Sequence, residues 1–286
     1  MLRSTLALGC LLASAAAYSA PRAASLCVAE NGGHGEQPPP IGGLVAVDTA
    51  TAAKRTVAKG LQDPVWVTSD ADSTFAYVGL FHAGQIVRVD LANGTTTVVA
   101  TGLSCPEGVA LSGGALFTVE NPVGDECRGH DLKPAAQLTR IDLASGAQTK
   151  VAGLLSPHGL ATAGGDAFVC EWGAHQLTRV DLRTGTKARV APLASPSGCA
   201  VGGAYAYAVE QGDTDGSLVG ISLSSGDKTT LVSALAEPMG VAVDVKGGFA
   251  YVGERGKDRV WRVAVGGGKP EVFAAELNSP IGLTMC

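Results

Sequence analysis

Short apolar runs, separated by turn residues, fill the chain from about residue 25 onward. In stretches such as TFAYVGL and GQIVRVDL, apolar and polar residues alternate, and β-branched and aromatic residues are frequent. Alternation with a period of two places every second side chain on the same face of a strand. The pattern therefore predicts a series of short β-strands with buried faces.

These strands recur in a repeat that begins at a Leu-x-x-Pro motif. The motif occurs six times, with its proline at Pro64, Pro106, Pro157, Pro196, Pro238 and Pro280. Each motif opens an apolar stretch such as PEGVAL. A second stretch follows that usually ends in glutamate, then a third such as QLTRVDL, a Gly-bearing turn and a fourth. Four strands in about 40 residues is the period of a β-propeller blade.

The sixth unit is divided between the two ends of the chain. PIGLTMC, at the C-terminal end, supplies its first strand. SLCVAEN (25–31), GGLVAVD (42–48) and KRTVA (54–58) match the second, third and fourth strands. Pairing of these segments closes the ring and removes exposed sheet edges. The sequence thus predicts an all-β fold, a six-bladed β-propeller, as one domain over residues 25–286.

The first 19 residues have the features of a cleaved signal peptide. Arg3 precedes an apolar run from Leu6 to Ala17, and small residues surround its end. No other run approaches the roughly 18 apolar residues that a membrane span needs. We therefore expect a secreted monomer, extracellular or, in a bacterium, periplasmic. The net charge of -5, without basic clustering, argues against nucleic acid as a partner.

Six cysteines follow the signal peptide, an even number that indicates disulfides in an exported chain. Antiparallel pairing in the shared blade brings Cys27 next to Cys286. A bond between them would contribute about 4 kcal/mol in the loop-entropy model. A second bond is predicted between Cys105 and Cys127, where it would hold the long insertion of the second unit.

Cys170 and Cys199 lie on adjoining blades near the same end. A third disulfide fits this placement, and so do two buried free thiols. The sequence leaves both alternatives open.

The predicted strand directions place the start of each first strand and each second-to-third loop on one face, here called the histidine face. Every histidine of the sequence falls on it: His34, His82, His130, His158 and His175. Asn93, in the acceptor sequence NGT, lies in a third-to-fourth turn on the opposite face. We therefore predict glycosylation on one face and the functional site on the other.

The residue after each repeated proline differs from blade to blade, unlike the rest of the motif. These six positions, here called the mouth ring, are Val65, Glu107, His158, Ser197, Met239 and Ile281. They should surround the mouth of the central channel, with Glu107 and His158 as neighbours. An adjacent carboxylate and imidazole can act as catalytic acid and base or bind a divalent cation.

A glutamate ends the second strand in five of the six units: Glu30, Glu120, Glu171, Glu210 and Glu254. Repetition favours a structural role, such as accepting hydrogen bonds from loop amides. Glu120 and Glu171 nevertheless belong to the blades of Glu107 and His158, so these four side chains are the candidate metal ligands. Oxygen-rich ligands of this kind suit Ca²⁺ or Mg²⁺. The alternative is a solvated polar rim without metal.

Several other side chains on the histidine face are predicted to line a substrate pocket. They are Ser197, Trp172, His175, Phe81 and His82. Trp172 also fits a packing role within its blade. The long loop from Pro122 to Ala135 would lie over this pocket.

The repeat P-x-G-[VL]-A, followed by [FY]-V-x-E and [QR]-[LV]-x-R-[VI]-D, resembles that of the streptogramin B lyases (virginiamycin B lyases), the gluconolactonase and senescence-marker lactonases, and the NHL-repeat propellers. The resemblance covers all six units. It implies a propeller that opens a small ester or lactone with a divalent cation. His158 matches the histidine of the lyase motif Glu-Pro-His-Gly, where Ser156 replaces the first glutamate, and Glu171 matches a later glutamate.

Two functions follow from these observations. The first is a metal-dependent lactonase, esterase or C–O lyase, in which His158, Glu107 and Glu171 are the catalytic residues and a small molecule binds at the channel mouth. No nucleotide or organic cofactor is indicated. The second is a non-catalytic propeller whose same face binds an extracellular protein, peptide or glycan, since propellers support both roles.

Overall fold

The computed structural model describes residues 24–33, 40–121 and 136–286. These residues form six antiparallel sheets of four strands each. The innermost strand of each sheet lies beside the innermost strands of two other sheets, so that the six sheets form a ring. The predicted six-bladed β-propeller is confirmed.

Strand bounds follow the predicted repeat closely. Blade 6 receives β1 (Ser25–Glu30), β2 (Ile41–Asp48) and β3 (Lys54–Gln62). Blade 1 contains β4 (Pro64–Ser69), β5 (Phe75–Leu80), β6 (Gln85–Asp90) and β7 (Thr96–Ala100). Blade 2 contains β8 (Pro106–Ser112), β9 (Ala115–Glu120), β10 (Ala136–Asp142) and β11 (Gln148–Leu154).

The remaining blades repeat this order. Blade 3 contains β12 (Pro157–Ala163), β13 (Asp166–Glu171), β14 (Gln176–Asp181) and β15 (Lys187–Pro192). Blade 4 contains β16 (Pro196–Gly202), β17 (Tyr205–Glu210), β18 (Gly216–Ser222) and β19 (Lys228–Leu235). Blade 5 contains β20 (Pro238–Asp244), β21 (Phe249–Glu254), β22 (Arg259–Ala264) and β23 (Glu271–Ala274), with a 3-10 turn at Arg255–Lys257. β24 (Pro280–Met285) completes blade 6.

The ring closes through blade 6, as predicted. β24 pairs antiparallel with β1, where Leu26 lies opposite Met285 and Val28 opposite Leu283. The disulfide between Cys27 and Cys286 joins the same two segments, with a Cα–Cα distance of 5.8 Å. This covalent bond links the N-terminal and C-terminal parts of one sheet.

The hydrophobic core is divided among the seams between blades. Six buried apolar clusters are found in the described residues, one at each seam. Each cluster combines side chains from two adjacent sheets, because alternate residues of a strand face opposite neighbours. Burial of both faces of each sheet thus holds the blades in register around the ring.

The remaining cysteines differ in state. Cys170 and Cys199 are free thiols buried at the seam between blades 3 and 4. Of the two alternatives that the sequence left open, the structure thus has the buried thiols and not a disulfide between them. Burial raises the pKa of the Cys170 thiol well above its ordinary value. Cys105 is disulfide-bonded. Its predicted partner, Cys127, lies outside the described residues, and their pairing stays a prediction.

Other predictions also concern residues outside the described ranges. They are the signal peptide at 1–19, His34, His130 and the loop from Pro122 to Ala135. No helix in the described part of the chain is long and apolar enough to cross a membrane. Asn93 is exposed in the turn between β6 and β7, where its side chain accepts a hydrogen bond from the N–H of Thr95.

Candidate functional site

The mouth ring is built by a repeated irregularity of the inner strands. In every blade, the pairing of the first and second strands shifts register just after the repeated proline. A bulge of this kind bends the strand and redirects a side chain. The residue before each proline also has a positive φ, from 43° at Ser195 to 55° at Ser279. The two features together present the post-proline side chain at the channel mouth.

Each of these bends is fixed by one backbone hydrogen bond. The carbonyl of the residue before the proline accepts a bond from the N–H that follows the second strand, as between Ser156 and Trp172 at 3.0 Å. The equivalent bond is present in all six blades, for example between Glu237 and Arg255 at 3.1 Å. Left-handed backbone at a non-glycine residue is uncommon and strained, so it persists only where its surroundings hold it.

Glu107 and His158 are brought together, as the sequence predicts. Oε2 of Glu107 lies 3.7 Å from Nδ1 of His158, and their side chains are only 14% and 9% exposed. This distance is longer than a hydrogen bond but within the range of a charge contact. The carboxylate favours the tautomer with hydrogen on Nδ1, which places the lone pair on Nε2.

Asn121 positions the glutamate and was missed by the sequence reasoning. Its Nδ2 donates to Oε1 of Glu107 and to the carbonyl of Pro157, both at 2.8 Å. The side chain therefore links blade 2 to blade 3 directly beneath the pair. Its signal in the sequence is its place immediately after the repeated glutamate Glu120, in a position that varies among blades.

Aromatic rings lie beside the imidazole. The ring of Trp172 is stacked nearly parallel to that of His158, with centroids 6.4 Å apart and planes inclined by 12°. The ring of His175 is also near this tryptophan, with centroids 6.2 Å apart and planes inclined by 40°. Trp172 thus forms an aromatic wall next to His158, and its place in a substrate pocket stays a prediction.

His82 and Phe81 belong to a separate polar cluster on blade 1. Nδ1 of His82 is hydrogen-bonded to Oδ2 of the buried Asp63, whose Oδ1 accepts a bond from the side chain of Asn31. Phe81 contacts His82 edge-on at 5.2 Å. This cluster joins blade 6 to blade 1, so His82 has a structural partner that the sequence analysis did not identify.

The repeated glutamates turn towards the loops of their own blades. In each of the five blades, one carboxylate oxygen accepts the N–H of the residue two positions before the proline. These donors are Asn278, Ser104, Leu155, Ala194 and Ala236 for Glu30, Glu120, Glu171, Glu210 and Glu254. The predicted structural role is thus the one that the hydrogen bonds support.

Glu120 and Glu171 consequently differ from the other two predicted metal ligands. Their second oxygens accept bonds from the hydroxyls of Thr139 and Thr178. Among the described residues, no group of three or more His, Cys, Asp or Glu side chains has an arrangement that could hold a metal ion. Within the described ranges, protein donors take up the oxygens of Glu120 and Glu171, so the ligands left at the mouth are one carboxylate and one imidazole, a set too small to hold the divalent cation that the resemblance implies.

Trp66 extends across the channel below the mouth ring. It occupies the position that holds glycine in the other five blades, at Gly108, Gly159, Gly198, Gly240 and Gly282. A Cβ on Gly198 would lie 3.1 Å from Cη2 of Trp66. Blades 1 and 4 are on opposite sides of the ring, so the indole spans the axis, and it is only 7% exposed. Below it, the ends of the inner strands line a cavity of about 270 Å³.

The architecture is shared with solved structures. No protein-family model and no curated protein matches the sequence. A comparison of structures returns 961 matching chains. One, in the crystal structure of a nidogen/laminin complex, superposes with a TM-score of 0.75 over 92% of this chain and 98% of that chain, at 15% sequence identity. The protein has a β-propeller fold. Because propellers carry many functions, this likeness assigns the fold and leaves the function to the site.

In this propeller the mouth ring therefore offers a carboxylate, an imidazole and an adjoining aromatic wall. The carboxylate is held by Asn121, which restricts its orientation. The imidazole is mostly buried and lies between the carboxylate and Trp172. Such an arrangement can take a proton from a bound molecule or from water and return it within the same site.

Proposed function

We propose that the propeller opens a small ester or lactone at its channel mouth, with His158 as general base. The observation that carries the proposal is the buried contact between Glu107 and His158, with Asn121 holding the glutamate. A carboxylate beside an imidazole orients the ring and stabilises the imidazolium that forms on proton transfer. The other four members of the mouth ring do not ionise.

The reaction requires His158 to accept one proton and later to release it. In hydrolysis, Nε2 of His158 takes a proton from water as the water oxygen bonds to the carbonyl carbon. The C–O bond to the alcohol part then breaks, and the leaving alkoxide receives the proton from His158. In elimination, the same nitrogen takes a proton from the carbon next to the one that bears the ester oxygen. A C=C bond then forms, the alkyl C–O bond breaks, and the acid part leaves as a carboxylate. The products, an alcohol or an alkene, distinguish the two routes.

Glu107 is a catalytic partner of His158 in this proposal, whereas Glu171 holds the loop before its blade. No step is assigned to a metal ion, because the described residues do not fit one. We propose export as well, since the Cys27–Cys286 bond fits an oxidising compartment.

The test measures ester and lactone opening by pH-stat, with alkyl acetates, γ-butyrolactone and δ-valerolactone. His158→Ala should lower kcat/KM by about 10²- to 10⁴-fold, the usual contribution of a general base. Glu107→Gln should give a smaller loss, since the imidazole remains. Activity should persist in EDTA, since no step is assigned to a metal ion.

Asp166→Asn is the matched control. This carboxylate lies in the same blade as His158, at the other end of β13, and pairs with Arg179 at 2.6 Å. Its removal should leave kcat/KM unchanged. A wild-type protein without activity on the whole panel, or a His158→Ala variant as active as the wild type, would refute the proposal.

A second candidate function is protein binding without catalysis. It is favoured by the likeness to a propeller whose structure is that of a nidogen/laminin complex. On the histidine face, the exposed large apolar side chains in the described residues are Ile41 and Leu155, on the opposite blades 6 and 3. They form no continuous patch, which gives this candidate less support. Surface plasmon resonance with purified laminin tests it, and saturable binding that survives His158→Ala would favour it.

A further inference from the structure

The mouth ring is divided into two chemically different halves. Three consecutive blades, 2 to 4, contribute the polar residues Glu107, His158 and Ser197. The next three, 5, 6 and 1, contribute Met239, Ile281 and Val65. The blades follow one another around the axis in this order. Ser197 is fully buried and Ile281 is 5% exposed, so a ligand at the centre of the mouth meets Glu107 and His158 on one side and Met239 and Val65 on the other.

Contacts at the boundary between the halves support this division. The hydroxyl of Ser197 lies 3.9 Å from Sδ of Met239, so the polar and apolar sectors meet between blades 4 and 5. Nε2 of Gln211 lies 2.9 Å from the same sulfur. Met239 is half-buried, as is Val65, so both can still lose exposed area to a ligand.

Trp66 makes the base of this mouth aromatic. Its indole crosses the axis one residue below the mouth ring and contacts the far inner strand at Gly198. The other five blades have no side chain at this position. The base is consequently apolar and aromatic, and it is formed by a side chain that is 7% exposed.

We propose that the site selects an amphipathic ester, and this inference rests on the proposed function. The ester or lactone group lies over Glu107 and His158. An unbranched aliphatic chain on that group lies against Met239, Val65 and the indole of Trp66. Burial of each methylene contributes to affinity in proportion to the apolar area removed from water. Polyhydroxylated esters, which would place hydroxyls against the apolar half, are excluded by the same contacts.

Two matched ligand series test this proposal. N-alkylacetamides from ethyl to octyl measure binding by isothermal titration calorimetry, because their amide bond resists opening. Alkyl acetates of the same lengths measure turnover by pH-stat. For the wild-type protein, we expect the Kd of the amides to fall about two- to fourfold for each added methylene until the apolar half is covered. The kcat/KM of the acetates should rise in parallel.

Met239→Ser and Val65→Ser identify the surface responsible. Serine is the residue that the mouth ring itself carries in blade 4, so the backbone accepts it there. Both variants should flatten the dependence on chain length while leaving the shortest amide almost unaffected. Val245→Ser is the control, because Val245 is 60% exposed on the opposite face. It should retain the wild-type dependence.

The outcomes separate this inference from the proposed function. Amides that bind with the expected dependence, together with acetates that are not opened, would refute the reaction and retain the amphipathic site. Acetates that are opened at rates independent of chain length would retain the reaction and overturn this inference. Folded serine variants, verified by circular dichroism, that keep the full dependence would also overturn it. Absence of both binding and turnover would refute both.

Discussion

Individual glutamates at the same repeat position have different electrostatic surroundings. Burial raises the pKa of Glu30, and the N–H of Asn278 only partly offsets it. Burial acts in the same direction on Glu254, but hydrogen bonds from Arg259, a loop amide and Trp261 together outweigh it and lower its pKa. The glutamate at this repeat position thus accepts a hydrogen bond from the equivalent loop amide in both blades, while neighbouring side chains decide how readily the carboxylate ionises.

Glu254→Gln should destabilise the protein by about 1–3 kcal/mol at neutral pH, because it removes charge-assisted hydrogen bonds in a buried setting. Since the pKa of Glu254 is lowered in the folded state, its carboxylate contributes stability above the ordinary glutamate pKa of 4.5 and loses it as the pH falls through the lowered value. The difference between wild type and variant in urea unfolding should therefore shrink on acidification.

Glu276→Gln provides the comparison for that experiment. The side chain of Glu276 is 94% exposed, and its Oε2 lies 3.9 Å from Nζ of Lys54. Because so exposed an ion pair contributes little, the replacement should change the free energy of unfolding by less than about 0.5 kcal/mol. Equal effects of the two substitutions at neutral pH would contradict the assigned role of Glu254.

At the scale of strands and blades, the sequence pattern predicts most of the fold. Alternation identifies the strands, and the Leu-x-x-Pro period identifies the blades. The split sixth unit identifies the closure through β1 and β24. These features are local or periodic, so they can be read without knowing which parts of the chain come into contact.

The details of the site depend on contacts between blades, which the sequence does not reveal directly. Adjacency of blades predicts the approach of Glu107 to His158, but the amide of Asn121 that holds the glutamate reaches it from a loop. Loop amides likewise donate hydrogen bonds to Glu120 and Glu171, and so occupy carboxylate oxygens that the sequence analysis assigned to a metal ion. Trp66 did leave a signal, as the one departure from glycine in the P-x-G motif, and the sequence reasoning did not use it.

Glycine within that motif permits close approach of neighbouring inner strands. A Cβ on Gly108 would lie 2.6 Å from the carbonyl oxygen of His158 and 2.6 Å from the backbone nitrogen of Leu160. Gly108→Ala should therefore cost about 1–3 kcal/mol of stability and separate blades 2 and 3 at Glu107. Thermal unfolding and kcat/KM report the two effects.

Gly266→Ala is the corresponding neutral change. A Cβ there meets nothing within 4 Å, and its backbone is outside the left-handed region. Its melting temperature should stay close to that of the wild type. A Gly108→Ala variant with the same melting temperature would show that the inner strands are less closely packed than described.

The whole molecule is held by a ring in which blade 6 joins the N-terminal and C-terminal segments. Ser25 and Cys286 exchange backbone hydrogen bonds at 3.0 and 2.8 Å beside the disulfide. Separation of β24 from β1 would expose two sheet edges and the seams on either side. Stability of all six blades therefore depends on this one pairing.

Replacement of both Cys27 and Cys286 by serine should reduce the free energy of unfolding by about 4 kcal/mol, because the bond restricts the unfolded chain over almost its whole length. Urea unfolding measures the change. Cys27→Ser alone should give a similar loss, since either substitution prevents the bond. A double variant as stable as the wild type would show that strand pairing alone closes the ring.

The indole of Trp66 across the axis has a further consequence for the two ends of the molecule. Because the indole lies across the passage, we expect molecules that enter at the histidine face to leave by the same opening, so that a product competes with incoming substrate for one exit. The cavity beneath is lined in part by Thr68, Thr162 and Thr284, from the ends of inner strands that lie away from the mouth ring. We therefore expect substitutions at the mouth ring to leave the lining of this cavity unchanged.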